Sequence, residues 1–490
     1  MEINCILCTD SSRGISRNLG IPWKIHDELK YFNAVTTYTS PLDLGSKMNA
    51  VLMGKNTYQS LNLKILPNRY NYVLTTTINT LSDDKLFIAD DIQKIIANIK
   101  EKQIDKLFVI GGKSLYEHFI NNKLVKYIYL SKIDHEYQCD NSVNLDLSNY
   151  KLIEENDVQM YDRILEKNVL VSLMKYENPN YVDNKFWTFV GGVPYINFEE
   201  LQYLNIMKEI LARGHYRQTR NAKTYSIFGK NIAFDLQNNT LPVLTTKKVF
   251  TRGIIEELLF FLRGQTDSKI LEQKGVNIWR PNTTREFLDS VGLNHYQISD
   301  IGPMYGFQWK FFNAEYKGCH ADYTGQGIDQ IKQALYDLEH DKFSRRIIMT
   351  TYNPCQAKQG VLYPCHGLTI QFGIENDDLL CCHVYFRSQD LFLGTSFNIT
   401  SYALLVHIFC NILNTRGQNF KPGKLHMAMG DVHIYENHLD AVNEQLKNVP
   451  FMFPKLKIKK TITNFEDISS QDFEIINYTS HQKINATMIA

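Results

Sequence analysis

The sequence predicts an α/β domain built on a central, mostly parallel sheet, followed by an α+β domain, and three observations carry that prediction. The chain has 490 residues, too many for one small module and enough for two large folding units at about 150 residues per domain. Apolar, β-rich runs alternate with helix-period segments through residues 1–175, the pattern of strands laid side by side with helical crossovers. Beyond a stretch of turn formers, strands are instead grouped between long helices.

In the first region, residues 5–8, 50–53, 70–74, 106–110, 127–130 and 169–174 read as strands. Between two of them Ile92, Ile95, Ile96 and Ile99 recur at helical spacing behind Asp91, a residue type that caps helix starts. From 176 to 198 the pattern lapses into Glu-Asn-Pro-Asn, Asp-Asn, Gly-Gly and Val-Pro, which predicts a linker between domains at 1–175 and 199–490. The second domain opens with a helix over 199–213. Further helices are expected at about 252–263, 327–339 and 398–413, and strands at about 345–352, 366–374 and 379–386.

Composition narrows the function class. With 44% hydrophobic and 21% charged residues the chain can build a core, which excludes a disordered scaffold. Lys plus Arg total 53 against 52 Asp plus Glu, a formal charge of +1, so no global field favours a polyanion and dedicated nucleic-acid binding is not expected. Nine cysteines, an odd number thinly spread, read as free thiols in a reducing, cytoplasmic compartment. Glu2 and Asp10 flank few apolar residues, unlike a secretory signal, and apolar stretches such as 258–262 are too short to span a bilayer, so no membrane is expected.

In Leu362-Tyr-Pro-Cys365-His366-Gly367 a cysteine follows a proline and precedes a strand, with Arg387-Ser388 at the end of the next strand. A nucleophilic thiol needs a nearby cation to lower its pKa, and Arg387, Arg345 and Arg346 are candidates that also suit a phosphate. Pro364-Cys365-His366, Arg387-Ser388-Gln-Asp390, Leu393-Gly394, Phe397-Asn398-Ile399 and Gly430-Asp431-Val-His433-Ile-Tyr435 resemble thymidylate synthase. The likeness extends to Glu200-Leu-Gln-Tyr-Leu, Leu244-Thr-Thr-Lys-Lys248, Gly302-Pro-Met-Tyr-Gly306 and Ser344-Arg-Arg-Ile-Ile348.

The resemblance implies that Cys365 adds to C6 of dUMP, making C5 nucleophilic toward 5,10-methylenetetrahydrofolate, and that Glu257 manages proton transfers through water. It implies that Asn398 reads the pyrimidine edge, since its amide offers a donor and an acceptor to uracil. Arg220, Arg387 and Ser388 would bind the phosphate, with Arg345 and Arg346 reaching across from a second subunit of an obligate homodimer. His433 and Tyr435 would contact the ribose. His366, Asp390, Trp279, Tyr305 and Gly394 would line the nucleotide and folate cavity, closed by a tail ending in Ala490. The family's hydride comes from the folate, so dihydrofolate is released, and no metal is implied.

In the first domain Gly20-Ile-Pro-Trp23 leads into Asp27-Glu28-Leu-Lys-Tyr-Phe32, which puts a carboxylate at a helix start beside an apolar face. With Met53-Gly54-Lys-Asn-Thr57-Tyr, Leu66-Pro-Asn-Arg69 and Val109-Ile-Gly111-Gly112-Lys-Ser-Leu-Tyr116, in that order, this region resembles dihydrofolate reductase. The resemblance implies that Glu28 is a buried acid serving N5 of the pterin, supported by Ser131, while NADPH gives a hydride to C6. Leu29 and Phe32 would sandwich the folate and Arg69 would pair with its α-carboxylate. Cys8, Ile15, Gly54, Lys55, Thr57, Thr75, Gly111, Gly112, Lys113, Ser114 and Tyr116 would hold NADPH, the glycines allowing close backbone approach before a helix start. Thr75-Thr76 stands where Ser-Arg is usual, which predicts reduced discrimination against NADH.

One domain resembles a producer of dihydrofolate and the other its consumer, so the chain resembles the bifunctional fusion of the two. Fusion fixes their ratio and raises local concentration of the intermediate. Two further readings are carried: a dUMP hydroxymethylase, in which water captures the methylene, and a catalytically impaired regulatory protein that binds nucleotide and folate.

Overall fold

The isoleucine stripe forms the helix Ile92–Glu101, in which Ile92, Ile95, Ile96 and Ile99 are all buried and the Asp91 side chain accepts from the Gln93 N–H. The structure, a computed structural model, describes residues 2–487 apart from 38–47, 79–83, 103, 105, 183–187, 191, 192, 196, 220 and 221. The chain divides into two compact units, Met1–Ile196 and Asn197–Ala490.

The first unit carries an eight-stranded sheet. From one edge its strands are Leu86–Ala89, Tyr70–Leu74, Ala50–Gly54, Lys106–Gly111, Glu2–Thr9, Tyr127–Ile133, Lys167–Glu177 and Lys151–Asp162. The first six are parallel and the last two pair antiparallel. Central strands such as Ala50–Gly54 are buried on both faces, which is why they read as continuous apolar runs rather than alternation. The strand Lys167–Glu177 continues two residues into the segment read as linker.

The second unit is built on a six-stranded sheet ordered His215–Gln218, Lys223–Asp235, Lys421–Tyr435, Leu379–Asp390, Thr369–Glu375 and Ile348–Met349. Only the pairing of Leu379–Asp390 with Lys421–Tyr435 is parallel. The helix Gly394–Thr415 packs on those two strands and on the helix Thr251–Leu262. The helix Phe198–Arg213 is tied down by Glu200, whose buried carboxylate accepts from the backbone and hydroxyl groups of both Thr245 and Thr246.

Two expectations are corrected. The strand expected over 345–352 shrinks to Ile348–Met349, because the Gln330 side chain takes over both backbone groups of Thr350, accepting from its N–H at 2.9 Å and donating to its carbonyl at 2.8 Å. Apolar segments are not all as short as 258–262: among the described residues, the 22-residue helix Gly394–Thr415 is long and apolar enough by composition to cross a membrane. Its residues are mostly buried against the sheet, as a core helix's are.

Candidate functional site

Sheet register assembles the site of the second unit. The parallel pairing sets Ser388 opposite Asp431 and Asp390 opposite His433, while the antiparallel neighbour sets Thr224 opposite Tyr435. The loop bearing Cys365 is stitched to the same strand end, where the Cys365 carbonyl accepts from the Arg387 N–H at 2.9 Å. The Arg387 Nε–H donates to the Pro364 carbonyl at 3.1 Å, and its guanidinium lies 5.2 Å from the centre of the Tyr363 ring. Gly367 turns this loop at φ 60°, and a side chain there would run into the Tyr402 hydroxyl.

The Tyr305 hydroxyl lies 3.2 Å from Cys365 Sγ, and its ring stacks on His366 with centroids 4.1 Å apart. Burial pushes the Cys365 thiol up, opposed by the Tyr305 hydroxyl, the Arg387 charge and the backbone amides of Cys365 and His366. Arg387 thus acts in the direction expected of a nearby cation, and burial sets the net direction. Of the three candidate cations, Arg387 acts on the sulfur, whereas Arg345 and Arg346 occupy an exposed turn. Burial drives His366 down to about 3, so it is neutral at pH 7, with Nδ1 3.0 Å from the Tyr402 hydroxyl.

Neighbouring carboxylates on the helix Thr251–Leu262 divide their tasks. Glu256 is committed to Lys274 at 2.7 Å and Ser470 at 2.6 Å. Glu257 accepts from Trp279 Nε1–H at 2.9 Å, and burial raises it to about 7 despite that bond. A carboxyl poised there accepts and returns protons at neutral pH. Its folded pKa exceeds the ordinary 4.5, so its contribution to stability is fully present below that value and is lost as pH rises through about 7. Glu257→Gln removes this loss, so from about pH 5 to about pH 8 wild-type thermal stability should fall relative to the variant's.

His433 Nδ1 meets Asp431 Oδ1 at 2.9 Å, which places a proton on Nδ1 and leaves Nε2 for a ligand hydroxyl. Burial alone would raise the Asp431 carboxyl, but His433, Arg217 and Arg387 outweigh it and hold it low. Asp390 accepts from the N–H groups of Phe392 and Leu393, fixing the turn into the helix that carries Gly394 and Asn398. Asn398 Nδ2 donates to Gln389 Oε1 at 3.3 Å. The tail folds along 244–249: the Tyr478 hydroxyl donates to the Leu244 carbonyl, and His438 Nε2 meets the Thr487 carbonyl at 2.7 Å.

The first unit encloses a cavity of about 450 Å³ whose walls include Cys8, Ile15, Glu28, Leu29, Phe32, Thr57, Gly111, Gly112, Lys113 and Tyr116. The helix His26–Thr37 turns Asp27 out to Lys30 at 3.0 Å and buries Glu28. Burial pushes the Glu28 carboxyl up, opposed by the Ser131 hydroxyl and the Cys8 thiol, which face it. Ser131 Oγ is itself buried, and among the described residues it meets no other side chain within strict hydrogen-bond geometry. Gly111 adopts φ 136°, and a Cβ there would sit 2.6 Å from Thr57 Oγ1. The helix Lys113–Asn121 begins at Gly112 with no side-chain cap, leaving first-turn N–H groups for an anion.

A thymidylate synthase family model matches residues 201–490, and a dihydrofolate reductase model matches 2–174. A bifunctional dihydrofolate reductase-thymidylate synthase of Paramecium tetraurelia is 36% identical over 488 residues, covering 99% of this chain and 98% of that protein. Its counterparts are 35% identical in Zea mays, covering 97% and 94%, and 32% identical in Plasmodium chabaudi, covering 98% and 94%. The chain belongs to the bifunctional dihydrofolate reductase-thymidylate synthase family. Its reductase unit uses NADPH, and its synthase unit uses 5,10-methylenetetrahydrofolate to make dTMP from dUMP.

Within this bifunctional enzyme, several expected site residues are not gathered at a cavity. Arg69 is buried behind Phe32 and Asn33, its guanidinium donating to Thr36, Asn33 and the Pro67 carbonyl. Gly54, Lys55, Thr75 and Ser114 are absent from the walls of the reductase cavity, although Gly54 packs beside Gly112. Arg220 and Ala490 lie outside the described residues. Conversely, Asp431, Tyr402 and Gln389 were not singled out from sequence. Asp431 and His433 are two apart on one strand, and Asn398 and Tyr402 four apart on one helix, spacings that put each pair on one face. No spacing marks Gln389.

Proposed function

We propose that the two reactions are carried by Cys365, Glu257 and Asn398 in one unit and by Glu28 in the other. The observation that bears most weight is the meeting of Cys365, Tyr305, His366 and Arg387 at one strand end. The Cys365 thiolate forms a bond to C6 of the uracil ring, and the electron pair left at C5 attacks the one-carbon unit of the folate. Arg387 both opposes the rise of the thiol pKa and, with Ser388, Arg220 and a partner subunit's arginines at 345 and 346, holds the phosphate. Glu257 moves protons through water at the pyrimidine, and His433 contacts the ribose hydroxyl beside Tyr435. Trp279, Tyr305 and Gly394 flank the folate.

In the reductase unit Glu28 delivers a proton to the pterin inside the apolar cavity, between Leu29 and Phe32. NADPH supplies the hydride. Gly111, Gly112, Lys113, Ser114 and Tyr116 receive the dinucleotide at the uncapped helix start, with Lys55 and Thr75 at its 2′-phosphate, and weakened selectivity against NADH follows from the lack of an arginine there.

A homodimer through the synthase unit is supported by large apolar side chains left exposed on its sheet: Ile348 and Tyr385, which share one face, and Phe228 at 79%. All nine cysteines are free thiols, in keeping with a cytoplasmic setting. A product assay tests the reading. With dUMP and methylenetetrahydrofolate, dihydrofolate should appear in step with dTMP; release of tetrahydrofolate with a hydroxymethylated nucleotide would establish the hydroxymethylase instead, and binding without turnover a regulatory protein.

A further inference from the structure

We propose that Gln389 is a specificity-determining residue of the synthase site, locking the Asn398 amide in the orientation that accepts uracil and rejects cytosine. This rests on the reading of Asn398 as the group that meets the pyrimidine edge.

Gln389 is 1% exposed, and three hydrogen bonds run in series through it. The Thr395 hydroxyl donates to the Asp390 carbonyl at 3.0 Å. Gln389 Nε2 donates to Thr395 Oγ1 at 3.0 Å, and Asn398 Nδ2 donates to Gln389 Oε1 at 3.3 Å. The series has one direction. A carbonyl oxygen only accepts, so the single Thr395 hydroxyl proton goes to Asp390, and the hydroxyl must then receive from Gln389. The amino end of Gln389 is thereby turned to Thr395 and its oxygen to Asn398. Side-chain amide ends are distinguished by such partners rather than by shape, and here the assignment is anchored on backbone. The Asn398 amino group faces Gln389, leaving Oδ1 and one N–H for a ligand.

Uracil offers an N3–H donor beside an O4 acceptor, whereas cytosine offers an N3 acceptor beside an amino donor. An asparagine amide free to turn over satisfies either base. In the locked series, turning it would oppose the Asn398 and Gln389 oxygens and strand a buried acceptor, a cost that the cytosine edge does not repay.

The experiment is calorimetric binding of dUMP and of dCMP to the full-length chain as wild type, Gln389→Leu and Thr395→Val. The threonine variant keeps side-chain shape and releases the series from its other end. Wild type should bind dUMP and discriminate against dCMP, and both variants should lose about tenfold or more of that discrimination, with dUMP weakened and dCMP strengthened. Damage to packing alone weakens both nucleotides together. An unchanged dUMP to dCMP ratio, or equal loss of both nucleotides in both variants, overturns the proposal while leaving the site reading intact. Failure of the wild type to bind dUMP overturns both.

Discussion

Replacing Cys365 by serine abolishes dTMP formation, by about ten-thousandfold or more, and leaves NADPH oxidation with dihydrofolate unchanged. The size follows from the role: the reaction has no other way to make C5 of the pyrimidine nucleophilic, and a serine hydroxyl is a far weaker nucleophile than a thiolate. The fold should survive, since it is the Cys365 backbone carbonyl, not its sulfur, that ties the loop to Arg387. The sulfur's contact is with the Tyr305 hydroxyl, which a serine oxygen can still approach. Separate assays of the two half-reactions on one preparation check this, and loss of reductase activity in the same variant would mean that the units do not work independently.

Replacing Glu28 by alanine produces the opposite pattern, with dihydrofolate reduction falling by about a thousandfold and dTMP synthesis retained. Burial raises the Glu28 pKa, which keeps the carboxyl protonated to higher pH than an exposed glutamate and so able to donate. Wild-type reduction should therefore decline as pH climbs through that raised value, and the alanine variant should lose this dependence along with most of its rate. Steady-state reductase rates across pH measure it. A variant with wild-type rate and pH profile would remove Glu28 from the chemistry.

How much of this was legible in sequence depended on what held each element. The stripe behind Asp91 was legible because its burial follows helical spacing, and the strand 50–54 because burial on both faces leaves an unbroken apolar run. The strand Lys151–Asp162 was missed for the converse reason: it lies at the sheet edge, is mostly exposed, and owes its form to pairing with Lys167–Glu177 rather than to its own pattern. Cys365, Glu257, Asn398 and Glu28 stood out through the motifs around them. What those motifs did not carry was the sign of the Cys365 shift, set by burial against Arg387, or the partners that aim each group. Gln389 reaches Asn398 through a strand and a helix brought together by the turn after Asp390, a juxtaposition without a local sequence signal.

The account depends on the sulfur of Cys365 forming a bond to the pyrimidine. Incubation of the intact chain with 5-fluoro-dUMP and methylenetetrahydrofolate, followed by peptide mass spectrometry, measures that bond directly. The predicted result is a stable adduct mapped to Cys365 in the wild type and absent from Cys365→Ser. An adduct on another residue, or none from a preparation that turns over dUMP, would contradict the account.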